Sequence, residues 1–315
     1  MKIIVTHSSP DLDAITSVWL LKRFLNGWAN ADVKFVSAGT KLKDKNETGF
    51  LGKDNILINN NHEIFPSFAT VNPIEIIDGN EVIHVDTGMG PLDHHQTNDQ
   101  SICAASRTWD YICSHSSNEK SDFKKDAISR IVKVVVDIDH FREVFWGDPT
   151  ADHHDFSLFG VLDGIKLQKS NQDNYYTDFI MQLLDALRFT FENKILAEKE
   201  IKTNSILFKT KWGNGIAFSS FNDTVIKLVQ KMGYVVVVRK DPKKGYVRIK
   251  ARPSNDPDSD VDLTSVYVKL KEIDSQASWF LHVSKKMLLN GSTKNQDMKP
   301  SSLSLESIIE ILVSA

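Results

Sequence analysis

Cysteine is scarce in this sequence, and long apolar runs are absent. Cys103 and Cys113 fall in one predicted helix, where a separation of about three turns is too large for a disulfide. No apolar run reaches the roughly 18 residues that a membrane span needs, and the N-terminus lacks the apolar stretch of a signal peptide. We therefore expect a cytoplasmic protein with reduced thiols and no membrane attachment.

A large excess of charge of either sign is also absent, because 38 Lys and Arg stand against 41 Asp and Glu, a net charge of only −3. This balance hides a basic segment from Lys231 to Arg252, which contains eight basic residues and a single acid, Asp241. The rest of the chain is therefore distinctly acidic. Clustered acids favour metal ions, and a basic segment favours a polyanionic partner.

The length of 315 residues is too great for one ordinary core and predicts two domains. In the first part, apolar periodicity predicts strands that alternate with helices, which is typical of an α/β fold with a mostly parallel sheet flanked by helices. The predicted strands are Ile3–Thr6, Val33–Val36 and Glu81–Val85, and the predicted helices are Leu12–Trp28, 101–114, 122–143, 155–168 and 173–203. Such sheets bind ligands beyond the carboxyl ends of their strands.

After the long helix the pattern changes to shorter strands and helices, which predicts a smaller, separate α/β domain. We therefore expect a catalytic domain over residues 1–170, a connector helix over 171–204 and a substrate-binding domain over 205–315. Trp279 and Phe280 are predicted to belong to the core of this last domain.

Ligand-type side chains follow two of the predicted strands. His7, Asp11 and Asp13 come directly after the first strand, and Asp86 ends another, seven residues before Asp93-His94-His95. Carboxylates gathered in one cleft would repel one another without cations, and a mixed Asp/His set suits Mn²⁺, with Mg²⁺ and Co²⁺ as alternatives. Two ions about 4 Å apart that share a bridging carboxylate can activate water and hold a phosphoryl group.

Three segments resemble the motifs of the DHH phosphoesterases: Thr6 to Ala14, Val85-Asp86 and Asp93-His94-His95-Gln96. The resemblance implies two Mn²⁺ ions bound by the following residues: His7, Asp11, Asp13, Asp86 and His94. It also implies that Asp86 bridges the ions, that His95 faces the substrate phosphate and that Asp93 orients a ligand. The sixth ligand is an aspartate of the fourth motif, Asp139 or Asp137, and helical spacing favours Asp139 because it shares the apolar face of its helix.

Within that superfamily the sequence most resembles the melanocyte-proliferating-gene (MYG-type) exonucleases. Their C-terminal domain has segments similar to Arg248–Pro253, Phe280–Ser284 and Asn290–Lys294. The resemblance and the basic segment together give a predicted substrate-binding set: Arg248, Lys250, Arg252, His282, Ser284, Lys285, Gly291, Ser292 and Lys294. A second triplet-like segment, Asp152–Asp155, has no strand before it, and we interpret Asp152 or Asp155 as a helix cap.

These features predict a metal-dependent exonuclease or phosphodiesterase that acts on RNA, DNA or short oligonucleotides, with no obligate protein partner. Two alternatives stay open. One is a phosphohydrolase for a small substrate, such as pyrophosphate or a nucleotide. The other is a nucleotide-binding module without catalysis, although such a module would be expected to lack some of the ligands that this sequence retains.

Overall fold

The structure is a computed structural model that describes residues 1–43, 72–115, 122–255, 260–291, 295 and 297–315. The chain forms two compact units, Met1–Phe191 and Glu192–Ala315. Each contains its own sheet, so the prediction of an α/β chain with two domains is confirmed. None of the helices in these ranges combines the length and the apolarity that a membrane span requires.

The first unit is built on a four-stranded sheet. Its elements are β1 (Lys2–His7), α1 (Leu12–Phe24), β2 (Asp32–Val36), β3 (Ile74–Ile77), β4 (Asn80–His84), α2 (Ala104–His115), α3 (Asp122–Asp139), α4 (Asp152–Asp155), α5 (Leu158–Gln168) and the start of α6 (Asp173–Thr203). The strand order is β2-β1-β4-β3, with β1 parallel to β2 and β4 and with β3 antiparallel to β4. The predicted mostly parallel sheet is therefore present.

The central strand explains why two sets of polar residues meet. Ile3, Ile4 and Val5 are buried, which is typical of a parallel strand covered on both faces. Because β1 and β4 run parallel and in register, their carboxyl ends lie at the same edge of the sheet. His7 is the last residue of β1, and Asp86 lies two residues after the end of β4.

Three predicted helices differ from the observed ones at their ends. Helix α1 ends at Phe24 instead of Trp28, because Leu25 leaves the helical conformation with a ψ of 122°, and Gly27, with a φ of 79°, then turns the chain. Helix α3 ends at Asp139 instead of residue 143, and Phe141 has a φ of 53°. Helix α5 begins at Leu158, and its cap is Ser157, whose side chain accepts from the amide of Gly160. The predicted capping role of Asp152 or Asp155 is therefore wrong for this helix.

The second unit contains a six-stranded sheet. Its elements are the end of α6, β5 (Ser205–Thr210), β6 (Gly213–Ser219), α7 (Thr224–Lys231), β7 (Val236–Lys240), β8 (Val247–Ala251), α8 (Thr264–Ile273), β9 (Phe280–Leu281), β10 (Met287–Asn290) and α9 (Leu305–Val313). The strand order is β5-β6-β7-β8-β10-β9, and only the β6–β7 pair is parallel.

The long helix predicted as a connector forms over Asp173–Thr203. Its first part packs into the core of the first unit through Tyr176, Ile180 and Leu184. Its last part packs into a core of the second unit through Ala197 and Ile201. The division between the units therefore falls within the helix, between Phe191 and Glu192.

Candidate metal centre

The end of β1 and the start of α1 present a histidine and two aspartates: His7, Asp11 and Asp13. Asp11 caps α1, because its Oδ1 accepts from the amide of Ala14 at 3.0 Å. The other oxygen, Oδ2, lies 3.8 Å from His7 Nε2, and His7 Nδ1 contacts the carbonyl of Ser8 at 3.0 Å. One aspartate thus holds the helix with one oxygen and faces His7 with the other.

Asp86 occupies a strained turn directly after β4. Its φ is 53°, a left-handed conformation that Asp and Asn tolerate better than most other residues with a side chain. Oδ2 lies 3.2 Å from His7 Nε2, whereas Oδ1 lies 3.5 Å from His94 Nε2 and 3.6 Å from His95 Nδ1. The two oxygens therefore face two different groups of nitrogen atoms, which is the geometry of a bridging ligand.

Asp93 fixes the conformation of the triplet. It is fully buried, and its Oδ2 accepts from the amide of Met89 at 2.8 Å. Its Oδ1 accepts from the amide of His95 at 3.1 Å and lies 2.7 Å from His95 Nδ1. Arg107, also buried, donates to the carbonyl oxygen of Asp93. The His95 ring is therefore held at one nitrogen, while 57% of its side chain stays exposed.

His94 lies among three carboxylates. Its Nε2 is 3.6 Å from Asp13 Oδ2, 3.5 Å from Asp86 Oδ1 and 3.6 Å from Asp139 Oδ2. Asp13 also accepts the amide protons of Ala104 and Ala105, at 2.8 and 2.7 Å, at the start of α2. Asp13 therefore anchors a helix as well as facing the site.

The donor set fits a divalent cation. Asp86 Oδ1, His94 Nε2 and Asp139 Oδ2 are buried and have no hydrogen-bond partner among the described residues. Two overlapping groups of ligand atoms, each within a span of 4.8 Å, contain them: Asp86, His94 and His95, and His94, Asp139 and His140. A third group is formed by His7, Asp11 and Asp86. Buried polar atoms that converge without partners call for a bound group between them.

The charges of these side chains depend strongly on one another. Burial lowers the pKa of His7, but the hydrogen bond to Asp86 and the neighbouring Ser8 carbonyl and Asp11 carboxylate outweigh it and raise the pKa to about 9. Burial raises the pKa of Asp86, but the hydrogen bond with His7 and the nearby rings of His94 and His95 outweigh it and lower the pKa to about 2. Without a cation, the His7–Asp86 contact is therefore an ion pair at neutral pH.

At the carboxyl groups of Asp13 and Asp139, the effect of burial on the pKa is not outweighed. Burial raises the pKa of Asp13, and the carboxylates of Asp86 and Asp139 raise it further. Burial also raises the pKa of Asp139, with His94 opposing and Asp11 adding to the shift. Repulsion among these acids is what a bound divalent ion would relieve.

Asp137 and His140 lie close to the predicted ligand Asp139 and have different surroundings from it. Asp137, the alternative ligand, forms an ion pair with Arg142 at 3.0 Å, whereas Asp139 faces His94. His140, which sequence reasoning did not select, has its Nε2 2.8 Å from the carbonyl of Ile102 and 3.7 Å from Asp139 Oδ2. Its position directly after a predicted ligand was the only available signal.

A clamp around Ser9 was also missed. The Ser9 amide donates to Asp173 Oδ2 at 3.1 Å, and Lys166 Nζ donates to the Ser9 carbonyl at 3.0 Å. The buried Tyr176 donates to Asp173 Oδ1 at 2.6 Å. Ser9 itself has a φ of 53°. Residues of α5 and α6 therefore hold the turn that carries His7 and Asp11.

The second triplet-like segment lies apart from these groups. His154 Nε2 contacts the carbonyl of Gly147 at 3.0 Å, and the rings of His153 and His154 lie 4.1 Å apart. Within the described ranges, neither histidine joins a group of converging ligand atoms.

The predicted substrate-binding residues lie in the second unit, where several are already engaged. Arg248 pairs with Asp223, and so does the buried Arg239 at 2.8 Å. Lys240 donates to the carbonyl of Leu303. The basic segment therefore presents less free charge than its sequence indicates, because part of it supports the fold.

The other predicted residues of this set have separate surroundings. His282 Nδ1 contacts Ser284 Oγ at 2.8 Å, and Lys285 pairs with Asp262 at 2.9 Å. Gly291 is buried, with a φ of 90° and with the ring of Tyr246 where a side chain would be. Ser292 and Lys294 lie outside the described residues.

No protein-family model and no curated protein matches this chain. Three solved structures show weak similarity. A DHH-domain member of the s1p family of ribosomal proteins has a TM-score of 0.30 at 10% identity, covering 99% of this chain and 86% of that one. A pGpG-specific phosphodiesterase from Vibrio cholerae has a TM-score of 0.23 at 12% identity over 92% of both chains. A putative family II inorganic pyrophosphatase from Methanococcus jannaschii has a TM-score of 0.20 at 13% identity over 100% of both. Similarities of this size establish neither fold nor function, which rest on the geometry described above.

Proposed function

We propose that this protein is a metal-dependent phosphoesterase of the DHH type that binds two divalent cations, Mn²⁺ first among them, and hydrolyses phosphodiester bonds in RNA, DNA or short oligonucleotides. The main support is the convergence of three buried ligand atoms without hydrogen-bond partners, Asp86 Oδ1, His94 Nε2 and Asp139 Oδ2. Leaving such groups unpaired costs about 1–3 kcal/mol each, and a bound cation would offset that loss.

Two subsites share Asp86. His7 Nε2 and Asp11 Oδ2 would hold one ion together with Asp86 Oδ2. Asp13, His94 and Asp139 would hold the other together with Asp86 Oδ1. Bound divalent ions would supply Lewis acidity toward the phosphoryl group and lower the pKa of water at the site.

His95 is the side chain that meets the substrate in this proposal. Its Nδ1 is held by Asp93 at 2.7 Å, which fixes the ring orientation and leaves Nε2 for a phosphoryl oxygen. The hydrogen bond to Asp93 raises the pKa of His95. The ring is therefore suited to donate a proton or a hydrogen bond to negative charge that develops on the phosphate.

The test is hydrolysis by protein stripped of metal with EDTA and reloaded with Mn²⁺, Mg²⁺ or Co²⁺. The substrates are labelled RNA and DNA oligonucleotides, a dinucleotide, pyrophosphate and bis(p-nitrophenyl) phosphate. Asp86→Asn should abolish hydrolysis and weaken both metal sites. Asp78→Asn is the matched control, because Asp78 also has a positive φ, 49°, but lies in the β3–β4 turn. Full turnover and full metal content in Asp86→Asn would rule out the bridging role.

One observation favours the small-substrate alternative. Arg239 and Arg248 are paired with Asp223, so fewer cations of the basic segment remain for a long polyanion. If pyrophosphate or a dinucleotide is hydrolysed much faster than a 12-mer by the reloaded protein, the small-substrate phosphohydrolase replaces the nuclease.

A further inference from the structure

The sheet of the second unit is covered unequally on its two faces. One face packs against α8 and α9 along its length, through Ile249 and Leu288 on the strands and Val266 and Ile308 on the helices. The opposite face packs against α7 and the end of α6 only at β6 and β7. Among the described residues, the hydrophobic cluster on that face includes no side chain of β8, β10 or β9.

The strand register shows which side chains this open area carries. Lys250 lies opposite Met287, and Arg248 lies opposite Leu289. Leu289 in turn lies opposite Phe280, and the amide of His282 donates to the carbonyl of Met287 at 2.8 Å. Because opposite residues of a sheet share a face, these side chains belong to one surface. We call this surface the platform, and it comprises Arg248, Lys250, Arg252, Phe280, His282, Met287 and Leu289.

Phe280 is the unusual member. Its side chain is 48% exposed, whereas the adjacent Trp279 is 7% exposed and packs into the core. The sequence-based prediction that both aromatics are core residues is therefore wrong for Phe280, because neighbouring residues of a strand point to opposite faces. Leu289 and Met287 remain partly exposed beside it. An exposed ring on a sheet with apolar neighbours offers a flat surface for stacking.

Cationic side chains lie on the same face of the sheet as this ring. Lys250 and the exposed Arg252 have no ion-pair partner among the residues that the structure describes. Arg248 is held by Asp223. The register aligns Phe280 with Arg248 across two strands, and Lys250 lies one same-face position further along β8, about 12 Å from Phe280 between backbones. A flat ring beside free cations at this separation suits a ligand that alternates planar groups with phosphates.

We propose that the platform binds single-stranded nucleic acid, with a base stacked on Phe280 and backbone phosphates at Lys250 and Arg252. This binding site deepens the proposed function. That the bound strand is also hydrolysed rests on the proposed function. Charge favours this occupant over a second protein, because two unpaired cations at the edge of a protein interface would have to be desolvated without compensation. Pyrophosphate has no planar group and would gain nothing from Phe280.

The experiment measures binding by fluorescence anisotropy in EDTA, so that no hydrolysis occurs. The probes are a labelled 12-nucleotide oligo-dT and an abasic strand of the same length. Wild-type protein should bind oligo-dT about tenfold more tightly, because stacking on an aromatic side chain contributes about 1–3 kcal/mol per base. Phe280→Ala should lose this preference while binding the abasic strand as before, and Phe280→Trp should keep it.

Phe221→Ala is the matched control, since Phe221 is 59% exposed in the same unit but precedes α7. It should leave the preference unchanged. Lys250→Gln with Arg252→Gln should weaken both probes and reduce the slope of log affinity against log salt by about 1.4, the value for two phosphates on a single strand. Circular dichroism and thermal melting verify that each variant is folded.

A wild-type protein that binds both probes equally, or a Phe280→Ala protein that keeps its preference, overturns the platform. So does a change in sedimentation on Phe280→Ala, which would make a second copy of the chain the occupant. Hydrolysis of bis(p-nitrophenyl) phosphate by the wild-type protein tests the proposed function separately, because this ester carries no nucleobase. Binding without hydrolysis would therefore reject the enzyme and keep the platform, and the reverse result would reject only the platform.

Discussion

Asp139→Asn should stabilise the metal-free protein and remove its response to metal. The Asp139 side chain is 12% exposed, and its Oδ2 has no hydrogen-bond partner in the described part of the chain. Burial raises the pKa of this carboxyl above that of an unfolded chain, which is about 3.9. The ionised form therefore destabilises the metal-free fold, and the penalty grows as pH rises from the unfolded-state pKa to the raised folded-state pKa, above which it stays constant. Asparagine is neutral at every pH and avoids that penalty.

A bound cation should stabilise the wild-type protein more than the Asp139→Asn variant. A cation at a hundred times its dissociation constant stabilises the wild-type fold by about 2.7 kcal/mol. In a unit the size of Met1–Phe191 this raises Tm by about 5–10 °C. If the loss of one charged ligand weakens binding a hundredfold, the same cation concentration stabilises the variant by only about 0.4 kcal/mol. The shift in Tm then falls to about 1 °C.

Thermal melting from pH 5.5 to 8, with EDTA or with Mn²⁺, measures both effects. Asp137→Asn is the matched control, because Asp137 lies two residues away and pairs with Arg142 at the surface. That exposed pair contributes at most about 1 kcal/mol, and the control should keep the full Mn²⁺ shift. The reasoning fails if Asp139→Asn melts lower than wild type in EDTA yet retains the Mn²⁺ shift, or if Asp137→Asn loses it.

Three further outcomes are expected. His95→Ala should retain both metals by elemental analysis but lower kcat by at least about a hundredfold, and an emptied metal site would refute its role toward the substrate. Because the pKa of His7 is about 9 without metal, a cation must displace the His7 proton at neutral pH. Mn²⁺ affinity should therefore rise about tenfold per pH unit from pH 7 toward pH 9. Calorimetry in buffers of different ionisation enthalpy would contradict this if it found no proton release on Mn²⁺ binding. Asp173→Asn removes the carboxylate that accepts from the Ser9 amide, and it should weaken Mn²⁺ binding about tenfold in a folded protein. Asp178 is exposed on the same helix, and Asp178→Asn should leave Mn²⁺ binding unchanged. Equal Mn²⁺ affinities of the two variants would show that the clamp does not position the site.

Sequence patterns predicted the strand ends well because the central strands are continuously apolar and end abruptly at polar residues. Ile3 to Val5 and Val82 to Val85 are buried runs, and the ligand-type residues follow them directly. Helix ends were less predictable, since local turns such as the one at Gly27 outweighed the apolar periodicity that continues to Trp28.

Contacts between distant segments could not be predicted from the sequence. Ser9 and Asp173 are 164 positions apart, and no local pattern indicates that they meet. Likewise, the basic residues near Arg248 were counted as free charge, because nothing in their own segment shows that two of them form ion pairs with Asp223. Phe280 differs from these cases, because strict alternation along a strand was sufficient to separate it from Trp279.

The left-handed backbone at Asp86 also limits how this protein can evolve. Among the twenty amino acids, few besides glycine, asparagine and aspartate occupy such a conformation readily. A lineage under no selection for hydrolysis could therefore discard the carboxylate and keep the turn through asparagine or glycine, and a single nucleotide change in an aspartate codon produces either one. Descendants that retain the fold as a binding protein would be recognisable by one of these two residues at position 86.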